Sequence, residues 1–455
     1  MTTPTKPKPP APDVTTTAHA AAAPSAPVPS GRWSRLARLG SMATGVAGGM
    51  LLEGVRQVAQ GKRPRVSDLL LTPANARRVT QQLVQLRGAA MKVGQLISMD
   101  SGDLLPPALA EILGRLRSDA QAMPKKQVLA VLNASWGTGW DRHFDAFSFV
   151  PVAAASIGQV HRAQRKDGRM LAIKIQYPGV RESIDSDVDN VASLLRMSGL
   201  LPKTLDLKAL LRQAKRQLHD EADYEREGSY LQRYAELLAD SPAFVVPVLH
   251  ADLTTKSVLA MSYVGGVAVE SLVDAPQAER DHIVGLLVGL LFRELFEFQL
   301  IQTDPNFANY RYDRDSRQLI LLDFGATRPY KATMVKGYRR LMAGAVAGDH
   351  DSMRKAATAL GYFEADTLEK HQLAVLELFD LALEPLRREG AYDFGTTDMA
   401  ARLREAGMAL GLDREFWQIP PIDALLLHRK LGGLYLLAAR LKARVDVRAL
   451  AQAHL

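Results

Sequence analysis
The chain has 455 residues, 47% hydrophobic and 23% charged, a composition that supports large buried cores and excludes disorder throughout. Lys and Arg number 57 against 49 Asp and Glu, so the net charge is +8, a mild excess that suits phosphates, nucleic acid or an anionic membrane. There is no cysteine, which excludes a disulfide framework, cysteine-ligated zinc, iron–sulfur clusters and thiol catalysis.

At about 150 residues per domain, the length corresponds to roughly three units or to one enzyme of two lobes. Residues 1–30 read as a tail, because Pro, Ala and Thr fill 21 of the 30 positions and leave no apolar face to offset the entropy of ordering. Two lysines and one acid there fit either a transit peptide or a flexible extension. The absence of Leu, Ile and aromatics from the same segment argues against a secretory signal. Residues 31–140 read as a helical extension, with apolar residues at three- and four-residue spacing in 76–99 and 107–116. Near its start, Arg32, Trp33, Arg35 and Arg38 precede the small-residue stretch 40–54. That pattern fits a helix lying in an anionic interface and equally one packed on its own protein.

The texture changes near Phe147. Runs 147–163 and 170–177 carry strand character around the turn signal Lys166-Asp167-Gly168. Two helices are expected over 181–200 and 207–240, then strands over 244–250 and 256–263. From Ala275 the pattern is helical, interrupted over 301–326, where a strand at 318–322 is expected. Strands first and helices later, joined at Gly265-Gly266, give a smaller sheet-bearing lobe (141–265) and a larger helical lobe (266–455). The uncharged run 39–52 is 14 residues long, and the apolar run 283–292 meets Arg293 and Glu294. Neither reaches the ~20 residues of a spanning helix, so no integral membrane segment is expected.

The chemistry concentrates in Asp304-Pro305-Asn306-Phe307-Ala308-Asn309 and Leu321-Leu322-Asp323-Phe324-Gly325. Asp304 stands five residues before Asn309, and Asp323 follows fourteen later. Protein kinases space a catalytic-loop Asp, a metal-binding Asn and an Asp-Phe-Gly in this way. Asn309 and Asp323 offer hard oxygen ligands for Mg2+ on nucleotide phosphates, and Asp304 stands where a hydroxyl or water must be oriented. Lys174 closes the strand-like Leu171-Ala172-Ile173-Lys174, where a lysine can hold α- and β-phosphates. Its acidic partner is sought in Asp220-Glu221-Ala222-Asp223-Tyr224-Glu225-Arg226-Glu227, a run that is otherwise a solvated helix face. No glycine-rich loop is present. Ala153-Ala154-Ala155-Ser156-Ile157-Gly158-Gln159-Val160 stands in its place, a stiffer loop that denies its alanines positive φ. His-Arg-Asp and Ala-Pro-Glu signatures are missing too.

With these motifs the chain resembles the UbiB family of atypical kinase-like proteins, associated with ubiquinone (coenzyme Q) biosynthesis. The alanine loop looks like that family's replacement for the glycine loop. Lys92-Val93-Gly94-Gln95 looks like its Lys-x-Gly-Gln signature, and Glu221-Ala222-Asp223 like its Glu-x-Asp motif. His428-Arg429-Lys430-Leu431-Gly432-Gly433 is similar to its C-terminal pattern, and the resemblance runs from about Arg32 to the end. It is strongest to members with Gln302-Thr303-Asp304-Pro305-Asn306 and no C-terminal membrane anchor. The tail lies outside the family pattern.

The resemblance implies an α+β, bilobal kinase-like fold, with a small β-sheet N-lobe, a helical C-lobe and an N-terminal helical Lys-x-Gly-Gln extension. It implies ATP and Mg2+ as ligands, with Lys174 and Asp304 catalytic and Asn309 and Asp323 on the metal. Ala153, Ala154, Ala155, Ser156, Lys174 and Glu227 would bind nucleotide, with Glu227 the partner of Lys174. Lys92 and Gln95 would face Glu221 and Asp223 and cap the cleft where a protein substrate docks. The implied activity is ATPase more than protein kinase, supporting processing of isoprenoid quinone precursors or other lipid-like phenols. The implied setting is an anionic membrane surface, within a biosynthetic complex, in the cytoplasm at the inner membrane. The competing readings are a nucleotide-sensing scaffold with little turnover and an unorthodox protein or small-molecule kinase. A nucleic-acid partner is not expected, because the basic residues do not form long runs with interleaved aromatics.

Overall fold
A computed structural model describes residues 88–90, 92–93, 122–198, 207–364, 366–413 and 420–455. The tail, the 40–54 stretch and Gln95 lie outside them.

The first sheet is antiparallel. Strands β1 (Phe144–Phe147), β3 (Gly158–Arg165), β4 (Met170–Gln176) and β6 (Val258–Ser262) lie in that spatial order, and β2 (Ala153–Ala154) hangs on β3. Helix α1 (Lys125–Trp136) covers one face, and its Val128 and Leu132 share a core with Leu171, Ile173 and Ile175. The two-residue period of β4 therefore turns Ala172, Lys174 and Gln176 to the opposite face. Every residue of β4 after Met170 is buried, as a strand covered on both faces requires.

Between β4 and β6 the chain forms three helices: α2 (Val180–Ser198), α3 (Leu207–Glu221) and α4 (Tyr224–Leu237). The single helix expected over 207–240 is thus two. Asp223 leaves the helical region (φ −107°, ψ 92°) and its side chain accepts from the Arg226 amide, so the acidic run breaks one helix and caps the next. Helix α4 buries Tyr224, Glu227, Gly228, Leu231 and Tyr234, one face at helical spacing. The strand-like run 147–163 also divides, because residues 148–152 form a loop between β1 and β2. The helical reading of 31–140 fails at its end. Gly137 takes φ +79° after α1, and Trp140–His143 is a 3-10 turn.

The second sheet runs β5 (Phe244–Val245), β10 (Gln318–Leu321), β9 (Tyr310–Asp313) and β7 (Val267–Ala268). The Gly265-Gly266 joint leads into β7, and only glycine suits position 266. Its φ is +79°, and a Cβ there would meet the Tyr312 carbonyl at 2.9 Å. Helix α5 (Gln277–Arg293) continues into a five-residue π turn, Glu294–Phe298, and then into β8 (Leu300–Gln302). Strand β8 pairs antiparallel with β11 (Thr327–Pro329). Sequence periodicity missed β8, β9 and β11, which have three to four residues each. The larger core is helical, from α6 (Ala332–Ala347), α7 (His350–Leu360), α8 (Glu369–Ala382), α9 (Glu384–Arg387), α10 (Met399–Leu412), α11 (Ile422–Arg440) and α12 (Val447–Gln452). The fold is α+β with a small sheet-bearing part and a large helical one.

Candidate active site
Three elements bring their charges to one point. Lys174 Nζ on β4 donates to Glu227 Oε1 and Oε2 on α4, at 2.8 and 2.9 Å. It also donates at 3.2 Å to Asp323 Oδ2, just past β10. Lys174 and Glu227 are buried. Burial works against the charge on Lys174. The carboxylates of Asp323 and Glu227 outweigh it and hold the ammonium well above the ordinary lysine range. Asp323 lies below its usual value, since Lys174 and the Gly325 amide outweigh desolvation. Two carboxylates share one ammonium, and the cost of the second negative charge shows on Glu227, whose carboxyl burial pushes up to about 7. The ring of Tyr224 lies 5.0 Å from Lys174 Nζ and closes the site from the start of α4.

Asp304 and Asn309 stand on the loop between β8 and β9. Asn309 Nδ2 donates to Asp304 Oδ2 at 3.3 Å. The other carboxylate oxygen, Oδ1, accepts from Arg429 Nη2 of α11 at 3.1 Å. The spacing between Asp304 and Asn309 is thus closed by a 3-10 turn, Phe307–Asn309, which Asn306 caps. No local pattern in the sequence points to this role of Arg429, although it lies in the motif that carries the C-terminal resemblance. The same helix explains more of that motif. Lys430 forms an ion pair with the buried Glu294. His428 meets the Tyr362 hydroxyl at 2.6 Å. A side chain at Gly433 would lie 2.4 Å from Pro305 Cβ.

The alanine loop is a closed turn. Ala153 and Ala154 are exposed and paired to β3, and the Ala155 amide donates to the Gly158 carbonyl at 2.8 Å. Gly158 must be glycine, since a Cβ there would lie 2.3 Å from the Ile175 carbonyl. The helical residues Gly88–Ala90 and Lys92–Val93 pack on this loop. A Cβ on Gly88 would meet Ile157 Cγ2 at 3.0 Å and the Ser156 carbonyl at 3.3 Å. Lys92 is buried and forms an ion pair with Glu221, while Ser156 Oγ lies 3.4 Å from the other oxygen of Glu221. Asp223 does not join Lys92. It caps α4 and lies 3.8 Å from Arg181, because the helix break turns it away. The charge of Lys92 is near enough to add a small pull that lowers the Asp323 carboxyl further.

Among the described residues no three His, Cys, Asp or Glu side chains gather to hold a metal unaided, and no helix is long and apolar enough to cross a membrane. The donors at the cleft are the Asp323 carboxylate and the Asn309 amide, both hard oxygens. Two such ligands fit Mg2+, which keeps waters and takes further oxygens from phosphates.

A family model described as the ABC1 atypical kinase-like domain matches residues 115–357, more than half of the chain. The chain is 39% identical over 427 residues to the rat protein "Atypical kinase COQ8B, mitochondrial", covering 93% of this chain and 80% of that one. The chain belongs to the UbiB (ABC1) family of atypical kinase-like proteins. The Saccharomyces cerevisiae protein "Atypical kinase COQ8, mitochondrial" is 37% identical, with 92% of this chain and 84% of the relative covered. A Mycobacterium tuberculosis protein, Rv3197, solved with erythromycin, shares the fold at a TM-score of 0.58 and 24% identity. The match covers 84% of this chain and 96% of that one. Membership of the UbiB family implies nucleotide binding.

Proposed function
We propose that this chain is an ATP-dependent enzyme of the atypical kinase type, an ATPase more than a protein kinase, serving ubiquinone biosynthesis. The convergence of Lys174 on Glu227 and Asp323 within 3.2 Å carries the reading. In it, 141–265 and 266–455 are the two lobes, 31–140 the extension and 1–30 the tail. Lys174 exchanges Asp323 for the α- and β-phosphates while Glu227 keeps it oriented. Asp323 and Asn309 hold Mg2+, which neutralises phosphate charge when bound. Asn309 spends its amide nitrogen on Asp304, which leaves its amide oxygen for the cation. Asp304 orients the attacking water, and the alanine loop covers the phosphates. The Lys92–Glu221 pair, with Gln95 from the same signature, shuts the side from which a peptide would enter.

The substrate side is a lipid-soluble quinone precursor or similar phenol, met at an anionic membrane surface. For this chain we place that surface on the cytoplasmic side of an inner membrane, within a biosynthetic complex. The test is phosphate release by the full chain with Mg2+-ATP, alone and with anionic liposomes and a quinone-like phenol. Stimulation of at least several-fold by the two together is expected. Release that is absent under all conditions, with ATP still bound, would favour a nucleotide-sensing scaffold. The Arg429 guanidinium on Asp304 supports that second reading, since it and the Asn309 amide already occupy both carboxylate oxygens that would orient a water.

A further inference from the structure
The segment after Asp323 is short, reaching α6 at Ala332, and its backbone is held carbonyl by carbonyl. The Phe324 carbonyl accepts from the Thr327 amide at 3.1 Å. The Gly325 carbonyl accepts from Arg226 Nη1 at 2.9 Å, and the Thr327 carbonyl from Arg226 Nη2 at 2.8 Å. Between them the Ala326 carbonyl accepts from the Thr303 hydroxyl at 2.8 Å, one residue before Asp304. Arg226 is itself fixed. Its amide is bound by the α4 cap Asp223, its guanidinium lies 4.8 Å from the Tyr230 ring, and Asp220 stands 3.9 Å away.

We propose that Arg226 is a positioning residue that holds the Asp323-Phe324-Gly325 turn in its metal-binding orientation. The inference rests on the reading of Asp323 as a metal ligand. The chain of contacts is short. The Gly325 amide donates to Asp323 Oδ1 at 3.0 Å, and Arg226 holds the next peptide through the Gly325 carbonyl, so the two contacts fix Gly325 from both sides. Helix α4 presents Arg226 beside Glu227, the partner of Lys174. One helix thereby fixes the phosphate lysine and the metal aspartate together. In protein kinases the two are brought into place by activation-segment phosphorylation and helix movement. Here a planar guanidinium supplies two parallel donors in a fixed fork, and lysine cannot reproduce that geometry. The consequence is a site assembled without a modification switch.

The experiment compares wild type, Arg226→Lys, Arg226→Met and Asp323→Asn as full chains. One arm measures the Mg2+ concentration that half-restores ATP-induced thermal stabilisation. The other measures hydrogen exchange of the 324–331 backbone without nucleotide. Both Arg226 variants should need about tenfold more Mg2+ and exchange faster at 324–331, with exchange in α1 and α11 unchanged. A tenfold shift corresponds to about 1.4 kcal/mol. If Arg226→Met does not fold, Arg226→Lys decides, since it keeps the charge and loses the fork. An unchanged Mg2+ requirement in the Arg226 variants, whatever their melting temperatures, overturns the proposal and leaves Arg226 a structural residue. An unchanged requirement in Asp323→Asn overturns the metal reading itself, and the proposal with it.

Discussion

Among the described residues three lysines are buried, and two of them, Lys174 and Lys430, are each paired with a buried glutamate yet have opposite characters. Lys174 is bonded to Glu227 and also to Asp323, and it is held charged well above the usual lysine range. Lys430 has Glu294 alone, and burial pulls it below that range against the attraction of the one carboxylate. Glu294 spends its other oxygen on the Tyr234 hydroxyl at 2.7 Å, so that pair is saturated. The lesson is that charge balance, more than burial, separates a working pair from a bolt. Two acids on one ammonium leave negative charge that a cation can take up. One acid on one ammonium asks for nothing further.

The largest expected effect comes from breaking the bolt. Lys430→Met leaves Glu294 buried and uncompensated, which should cost about 3–5 kcal/mol in urea unfolding. Replacing both residues, Lys430→Met with Glu294→Leu, should recover much of it. If the single variant costs no more than an exposed pair, the comparison fails at its structural end.

Next is an acid limb set by His428, two positions from Lys430. Burial holds its imidazole at about 4, against an ordinary 6.5. The unfolded chain therefore binds more protons between those values, so stability falls as pH drops from about 6.5 toward about 4. The full loss from this group is about 3 kcal/mol. His428→Phe should flatten that part of the profile of melting temperature against pH, although it also leaves the Tyr362 hydroxyl without this partner.

A smaller effect is expected at the capping pair. Lys92→Ala strands Glu221 near the alanine loop and should cost roughly 2 kcal/mol, between exposed and buried pairs. It should also change ATP affinity several-fold, measured by calorimetry. Lys92→Arg should restore only part, since a guanidinium does not fit a compact ammonium site. Wild-type values in both variants would show that the Lys92–Glu221 pair does not cap the cleft. Smallest in stability is Ala155→Gly, at about 0.5–1 kcal/mol. Its expected signature is an altered preference between ATP and ADP. Unchanged affinities for both would place this turn away from the phosphates.

Spacing made the cleft residues legible. Lys174, Asp304, Asn309 and Asp323 lie on short local patterns, and the strand period alone turns Lys174 away from α1. The resemblance supplied Glu227 as partner, and the structure brings the two together. What stayed hidden depends on long-range packing. Arg429 reaches Asp304 across 125 residues, and Arg226 reaches Thr327 across 101, with no local pattern to announce either. The break between α3 and α4 was hidden for another reason. Glu221, Asp223 and Glu225 continue a helical charge pattern, and only the capping bond of Asp223 ends it. The short strands β8, β9 and β11 carry too few residues for a period to show.

The central claim is that Lys174 and Asp323 form a nucleotide site that needs a divalent cation. Calorimetric titration of ATP into wild type and Asp323→Asn, with and without Mg2+, tests it directly. Wild type should bind at least tenfold more tightly with Mg2+ than without, and Asp323→Asn should bind weakly and indifferently to Mg2+. Equal, Mg2+-dependent affinity in the two proteins would contradict the account and remove Asp323 from the site.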